Sequence, residues 1–392
     1  MGCKIIDSMK YVKSRVYKSD VLVDLSYACM IARLPVLMIG NPGTGKSHTS
    51  KIIAGMFGKR DEDWFYQSIT AKTSPEKLFG GLIAEKMLQG IEEYNLAVGA
   101  ASKVGNIFDE LYKSQHPAMM NALLNYFDEQ PTIFSGGRNV TPDWHWCFNT
   151  TNFEDLPEDL RFCPLWDRQG AKFQVKDLND VESKKALIMC MKQDKTPATA
   201  PTLSIADLEL ARKTAMAIEV TGEIIDLFYE KVLPILKKHC YISQRKINSL
   251  FIGKPGHPSI LQSIAYISGG VMSDEVLRYV PYFCWQDVSS YDKVIDEVAK
   301  TIVSPVISTY REIISNVEDM IENVVAKKYS HIEAIQQQKF LTDSITARLS
   351  AYDDNQKKKA QPLRLQLGKL VKTLNAEIDN LAPKTTLDNM EF

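Results

Sequence analysis

The sequence predicts an α/β protein: helices wound around a parallel sheet in the first half, a smaller helical domain after it, and a helical C-terminal extension. Three observations predict this. Short apolar runs and helix-spaced runs alternate from Val36 to Asn152, the pattern of parallel strands joined by crossover helices. The stretch "VLMIGNPGTGKSHTSKII", Val36 to Ile53, passes from a greasy strand through a glycine-rich turn into a helix. Beyond Ser204 strand-like runs become scarce, and from about Ser304 apolar residues recur at heptad-like spacing. A chain of 392 residues, 45% hydrophobic and 24% charged, has room for two or three cored domains. The boundaries read as a nucleotide-binding core over 1–190, a linker over 191–204, a helical domain over 205–303 and an extension over 304–392.

In chain order, "SDVLVDLSYACMIARL" has apolar positions three and four apart behind a Ser19 or Asp20 cap, which makes it a helix. "VLMIG" is then a buried strand, and "KSHTSKIIAGMF" a helix with Ile52, Ile53 and Met56 on one side. "WFYQSI" reads as β, "SPEKLFGGLIAEKMLQG" as a helix followed by an insertion, and "KVGNIFDE" as a strand ending in two acids. "PAMMNALLNYFDEQ" is helical, and "PTIFSGGRNVTPDWHWCFNTTN" is a hairpin feeding another strand. In "WHW" alternation puts one Trp inward and His145 on the opposite side, in preference to a base-stacking platform. Met191 to Ser204, rich in Pro, Thr and Ala, is the linker. In the extension, Ile313, Val317, Met320 and Val324 form one stripe, and Leu363, Leu367, Leu370, Leu374, Ile378 and Leu381 another, separated by "YDDNQKKKAQP". Two long helices folded back as an antiparallel hairpin would bury both stripes.

Gly40-Asn41-Pro42-Gly43-Thr44-Gly45-Lys46-Ser47 carries G-x-x-x-x-G-K-S spacing, in which backbone N–H groups converge on phosphate oxygens. The bland alternative is a Gly/Pro loop that merely turns the chain. On the first reading Lys46 reaches the β/γ-phosphates, Ser47 ligates Mg²⁺, and the helix opening at Gly45 points its positive end at the anion. His48, just inside that helix, either faces the nucleotide or is a plain surface histidine. Asp109 is placed to hold the Mg²⁺ water shell and Glu110 to orient or deprotonate an attacking water, two tasks of γ-phosphate hydrolysis. Asn152, at another strand tip, is an amide suited to the lytic water or γ-phosphate. Arg161, Arg168 and Arg245 are candidates to neutralise transition-state charge.

Composition narrows the partners. A net charge of −1 gives no basic field to attract nucleic acid. Seven scattered cysteines without C-x-x-C pairs suggest reduced thiols, hence a cytoplasmic setting, and the six histidines lack zinc spacing. The start "MGCKIIDSMK" has no signal-peptide core, and no run suits a membrane span. "GKPG" at Gly253 resembles a second phosphate loop only at a glance, since it lacks the closing Gly-Lys-Ser and follows no strand.

The ordered set "GNPGTGKS", "NIFDE", "NALLNYFDEQ", a hairpin, "NTTN", "LWDRQG" and "ISQRK" resembles AAA+ ATPases of the MoxR group, most closely the RavA branch, over about residues 5 to 300. The resemblance implies an AAA+ P-loop αβα core with an α-helical lid, ATP and Mg²⁺ between them, and a homo-oligomeric, hexameric ring. It makes Asp109 and Glu110 the Walker B pair, Asn152 sensor 1, Arg168 a finger completing the next subunit's site, and Arg245 sensor 2. Arg161 is the rival finger. It also makes "FGGLIAEKMLQGIEEYNL" and Thr132 to Val140 the client-reaching elements, and implies a partner with a von Willebrand A domain in a protein-remodelling role. The alternative is an AAA+ motor on nucleic acid. Two departures stand out: the "FIGKPGHPSI" insertion in the lid and an extension unlike the RavA middle domain.

Overall fold

A computed structural model describes residues 4–16, 19–58, 60–114, 116–176, 181, 184–185, 201–302, 305–354, 357 and 360–381. Most of the expected linker, 191–200, lies outside the described residues. The chain divides into two compact units, Met1–Thr301 and Ile302–Phe392.

The first unit is built on β1 (Val36–Ile39), β2 (Trp64–Ser68), β3 (Gly105–Asp109), the antiparallel pair β4 (Ile133–Ser135) and β5 (Arg138–Val140), then β6 (Trp146–Thr151) and β7 (Lys172–Gln174). Five of these form one sheet in the order β2-β3-β6-β1-β7, and every neighbouring pair is parallel. Both β1 and β6 are buried along their whole length. That is why they read as unbroken apolar or small-polar runs instead of alternating ones. Around the sheet lie α1 (Lys4–Lys13), α2 (Asp20–Ile31), α3 (Lys46–Ala54), α4 (Pro117–Tyr126) and α5 (Pro164–Arg168). A proline opens each of the last two, where its missing N–H is not needed.

Both tryptophans of "WHW" are fully buried, which corrects the expectation that only one packs inward. Trp144 meets Tyr126 and Phe127 at ring separations of 6.0 and 6.4 Å, while Trp146 meets Phe57, Trp64 and Phe148. Helices and loops cover both sides here, so alternation selects a layer and not exposure. The 79–96 insertion lies against the β4–β5 hairpin through Tyr94 N–H to Ser135 Oγ at 2.8 Å and Gly136 N–H to the Glu92 carbonyl at 2.8 Å.

The helical domain packs onto this core within the same unit. It contains α6 (Ile205–Met216), α7 (Gln244–Phe251), α8 (Ile260–Ile267) and α9 (Tyr291–Ile302). Ser204 with Asp207, and Ser259 with Gln262, form reciprocal caps that start α6 and α8. Buried Arg212 of α6 donates to the Met30 and Ile31 carbonyls, closing the C-terminal end of α2. Trp166 and Trp285 meet edge to face at 4.9 Å, and each indole N–H reaches a carbonyl: Trp166 that of Trp285, Trp285 that of Lys172. Beside them is a cavity of about 10 Å³, lined by Lys172, Lys246 and Cys284 among others, room for about one water. Cys29, Cys147, Cys240 and Cys284 are buried free thiols, and Cys163 is half-buried.

The second unit corrects the hairpin. Among its described residues are three long helices, α10 (Pro305–Val325), α11 (His331–Ser350) and α12 (Gln361–Asn380). Arg348 pairs with Glu312, and Tyr352 meets Thr309 at 2.9 Å, so α11 runs back along α10. Gln338 meets Asn375, so α12 runs back along α11. The two heptad-like stripes do share one core. They run in the same direction, however, because a third helix returns the chain between them.

Candidate nucleotide site

Three neighbouring strands, β1, β6 and β3, end at the same edge of the sheet, and each delivers one part of the expected site. The turn after β1 bends at Gly43 and Gly45, both at φ +86°, and a Cβ at either would meet nothing within 4 Å. The requirement for glycine there is dihedral. At Gly40 it is spatial, since a Cβ would come within 2.4 Å of the Val175 carbonyl. α3 begins at Lys46, so its first N–H groups and positive end face the turn.

Lys46 is buried, and its Nζ donates to the Gly40 and Asn41 carbonyls at 2.8 Å each and to Asn152 Oδ1 at 3.1 Å. The first two acceptors belong to the loop and the third to the tip of β6. Ser47 Oγ donates to both Asp109 oxygens, at 3.0 and 3.1 Å. Tyr66 Oη donates to Asp109 at 2.8 Å, and Thr150 donates to it as well. Three hydroxyls thus hold one carboxylate in place. Tyr66 and Thr150 were missed from sequence, where a tyrosine on a β run and a threonine in "NTTN" carry no distinguishing spacing. His48 lies half-buried in the first turn of α3.

Glu110 has left-handed backbone, φ 58° and ψ 45°, unusual for a residue with a side chain and common where function holds a strained residue. Its carboxylate pairs with Lys113 at 3.0 Å, and this pairing raises the Lys113 pKa.

The arginines gather elsewhere. Arg245, at the start of α7, pairs with Asp128 at 2.7 Å, and Arg168, at the end of α5, lies 3.6 Å from the same carboxylate oxygen. Arg161 is exposed and forks onto Asp159 at 3.0 and 2.7 Å. The ion pairs of Arg168 and Arg245 go to the acids after α4 and not to the glycine-rich turn. Burial, then the neighbouring Arg245, lower the Arg168 pKa. Asp128 itself was missed, although acids just past a helix C-terminus, where the dipole repels them, are a legible sign of a cation partner.

The arrangement suits a magnesium–nucleoside triphosphate. An open cradle of N–H groups, a lysine held by acceptors that a phosphate could replace, and a hydroxyl beside a carboxylate form the hard-oxygen, anion-binding set it needs. Among the described residues no group of three or more His, Cys, Asp and Glu could hold a metal unaided. Ser47 and Asp109 would therefore share an ion with phosphate oxygens and water. Nor is any described helix long and apolar enough to cross a membrane.

Residues 3–213, more than half of the chain, match the profile of a family described as "MoxR domain in the MoxR-vWA-beta-propeller ternary systems". Among solved structures, the chain is similar to the crystal structure of a "putative ATPase" from Cytophaga hutchinsonii. That likeness has a TM-score of 0.55 at 16% identity, covering 77% of this chain and 94% of the other. No curated protein matches the chain.

Proposed function

Since the chain belongs to the MoxR domains of the MoxR-vWA-beta-propeller ternary systems, within the AAA+ fold, we propose that it binds ATP with Mg²⁺ and hydrolyses it. The observation that carries the proposal is the single hydrogen-bonded cluster at three strand tips: Lys46 on Asn152, and Ser47 on Asp109. Bound Mg²⁺ would offset charge on the β- and γ-phosphates. Lys46 would exchange its carbonyl partners for phosphate oxygens, Asn152 would hold the water or γ-phosphate, and Glu110 would leave Lys113 to orient that water.

In this reading the hydrolysis drives remodelling of a protein client in the cytoplasm by a homo-oligomeric ring, with Arg168 completing a neighbour's site; Arg245, expected to serve its own site, instead stands beside Arg168 on the same Asp128 oxygen. The family description supports a partner with a von Willebrand A domain, and also one with a β-propeller. The lid segments "ILQSIAYISGG" and "MSDEVLRYVPYFCWQD" support a place near the RavA branch. Lys46→Ala is expected to abolish nucleotide binding, measured by equilibrium binding, while Glu110→Gln binds normally and loses turnover. Equal loss of binding in both would reject these roles. Turnover that required nucleic acid, with a steep salt dependence of its binding, would favour the motor alternative.

A further inference from the structure

Acids are misplaced just past a helix C-terminus, where the negative end of the dipole already points at them. Even so, α4 is followed by Phe127 and then Asp128 and Glu129. Cations converge on this pair from three places. Arg245 of α7 pairs with Asp128 at 2.7 Å and lies 4.0 Å from Glu129, while Arg168 of α5 lies 3.6 Å from Asp128. From the lid turn after α7, Lys254 Nζ donates to the Asp128 backbone carbonyl at 2.9 Å and stands 5.7 Å from the centre of the Trp144 ring.

The turn is shaped for this delivery. Gly253 and Gly256 are left-handed, and a Cβ on Gly253 would come within 2.7 Å of the His257 carbonyl. Lys254 is spent on Asp128, which removes any phosphate-loop role from "GKPG". Burial, then Arg33, push its pKa down to about 7, against the opposing pull of Asp128 and Glu129.

Arg168 is only loosely satisfied. Its Nε is buried without a hydrogen-bond partner, and its Nη1 reaches the Pro164 carbonyl at 3.3 Å. Two guanidinium groups therefore share one carboxylate, and each retains N–H groups for another anion.

We propose that Asp128 is a positioning residue for Arg245 and Arg168, and that the lid turn sets its place through Lys254. This rests on the ATP-hydrolysing reading above. A carboxylate behind a guanidinium fixes its plane and directs the remaining N–H groups outward. Because one carboxylate serves both arginines, a shift of the lid turn moves both together.

The test uses the full chain, with a fluorescent ATP analogue for affinity and steady-state turnover for kcat and KM. Asp128 is partly exposed, so Asp128→Asn is expected to fold, with an unchanged thermal midpoint as the check. Its kcat should fall by about 10- to 100-fold, while KM and analogue affinity stay within about threefold. Asp128→Glu should recover part of the loss, and Lys254→Met should show a smaller kcat loss of the same kind. In Asp128→Asn combined with Arg245→Ala the losses should not add, a coupling that general destabilisation would not produce. Unchanged or raised kcat in Asp128→Asn, or full additivity, overturns the proposal while leaving ATP hydrolysis standing. Wild-type protein that turns over no ATP overturns both.

Discussion

Gly105 has no room for a side chain. A Cβ there would sit 1.8 Å from the Trp146 ring, in a strand pair covered on both faces, whereas Gly55, just past α3, faces open space at φ −60°. Gly105→Ala is therefore expected to lose about 1 to 3 kcal/mol by overpacking. Gly55→Ala should be neutral or gain a few tenths of a kcal/mol, since it only restricts the unfolded chain. Urea unfolding of both measures the contrast, and equal effects would contradict it. The same contrast explains what could be read of the site from sequence. Gly43, Gly45, Lys46, Ser47 and Asp109 could be picked out because glycine-rich spacing marks a tight turn before a helix and an apolar run marks a strand-end acid. Asp128 and Lys254, 126 positions apart, follow from no local pattern. Only the packing of the helical domain on the core joins them.

At the scale of elements, β1, β2, β3 and β6 were legible as short apolar or β-rich runs, whereas β7, three residues opening with Lys172, was not. The helix α11 was not recognised as a separate element, and its residues explain why. Only Ala334 is buried, Leu341, Ile345 and Leu349 are half-buried, and Ile332, Ile335 and Phe340 face solvent. The buried face itself has helical spacing, but apolar Ile332, Ile335 and Phe340 off that face blur it in sequence, although the Ser330–Glu333 capping box does mark where the helix starts. Because α10, α11 and α12 close their own core, a chain ending at Thr301 is expected to unfold cooperatively and to bind nucleotide with unchanged affinity. Calorimetry and equilibrium binding check this. A non-cooperative melt would mean that the first unit depends on the second.

At the scale of the whole molecule, buried titrating groups give stability a maximum in pH. Burial lowers the pKa of Lys254 to about 7 and also lowers those of Lys172 and Lys246. Above pH 7, and until lysine's ordinary value is reached, the unfolded chain holds a proton on Lys254 that the folded chain does not, so stability rises with pH. Burial raises the Cys284 thiol to about 11 and those of Cys29 and Cys240 to about 12. Above a thiol's ordinary value, near about 8.5, the unfolded chain releases protons that the folded one keeps, and stability falls. The thermal midpoint is expected to climb from about pH 7 to a maximum near pH 8 to 9 and then drop, and Lys254→Met should flatten the climb. A midpoint declining steadily from pH 7 would contradict this. The described cysteines also serve as native labelling sites graded by depth. Half-buried Cys163 lies on the approach to α5, Cys284 lines the cavity between core and lid, and Cys147 sits inside the sheet. A thiol reagent added to unmodified protein, with the labelled cysteines identified by peptide mapping, thus reads surface breathing at Cys163, parting of the lid at Cys284 and global unfolding at Cys147 as separate rates, with no engineered probe.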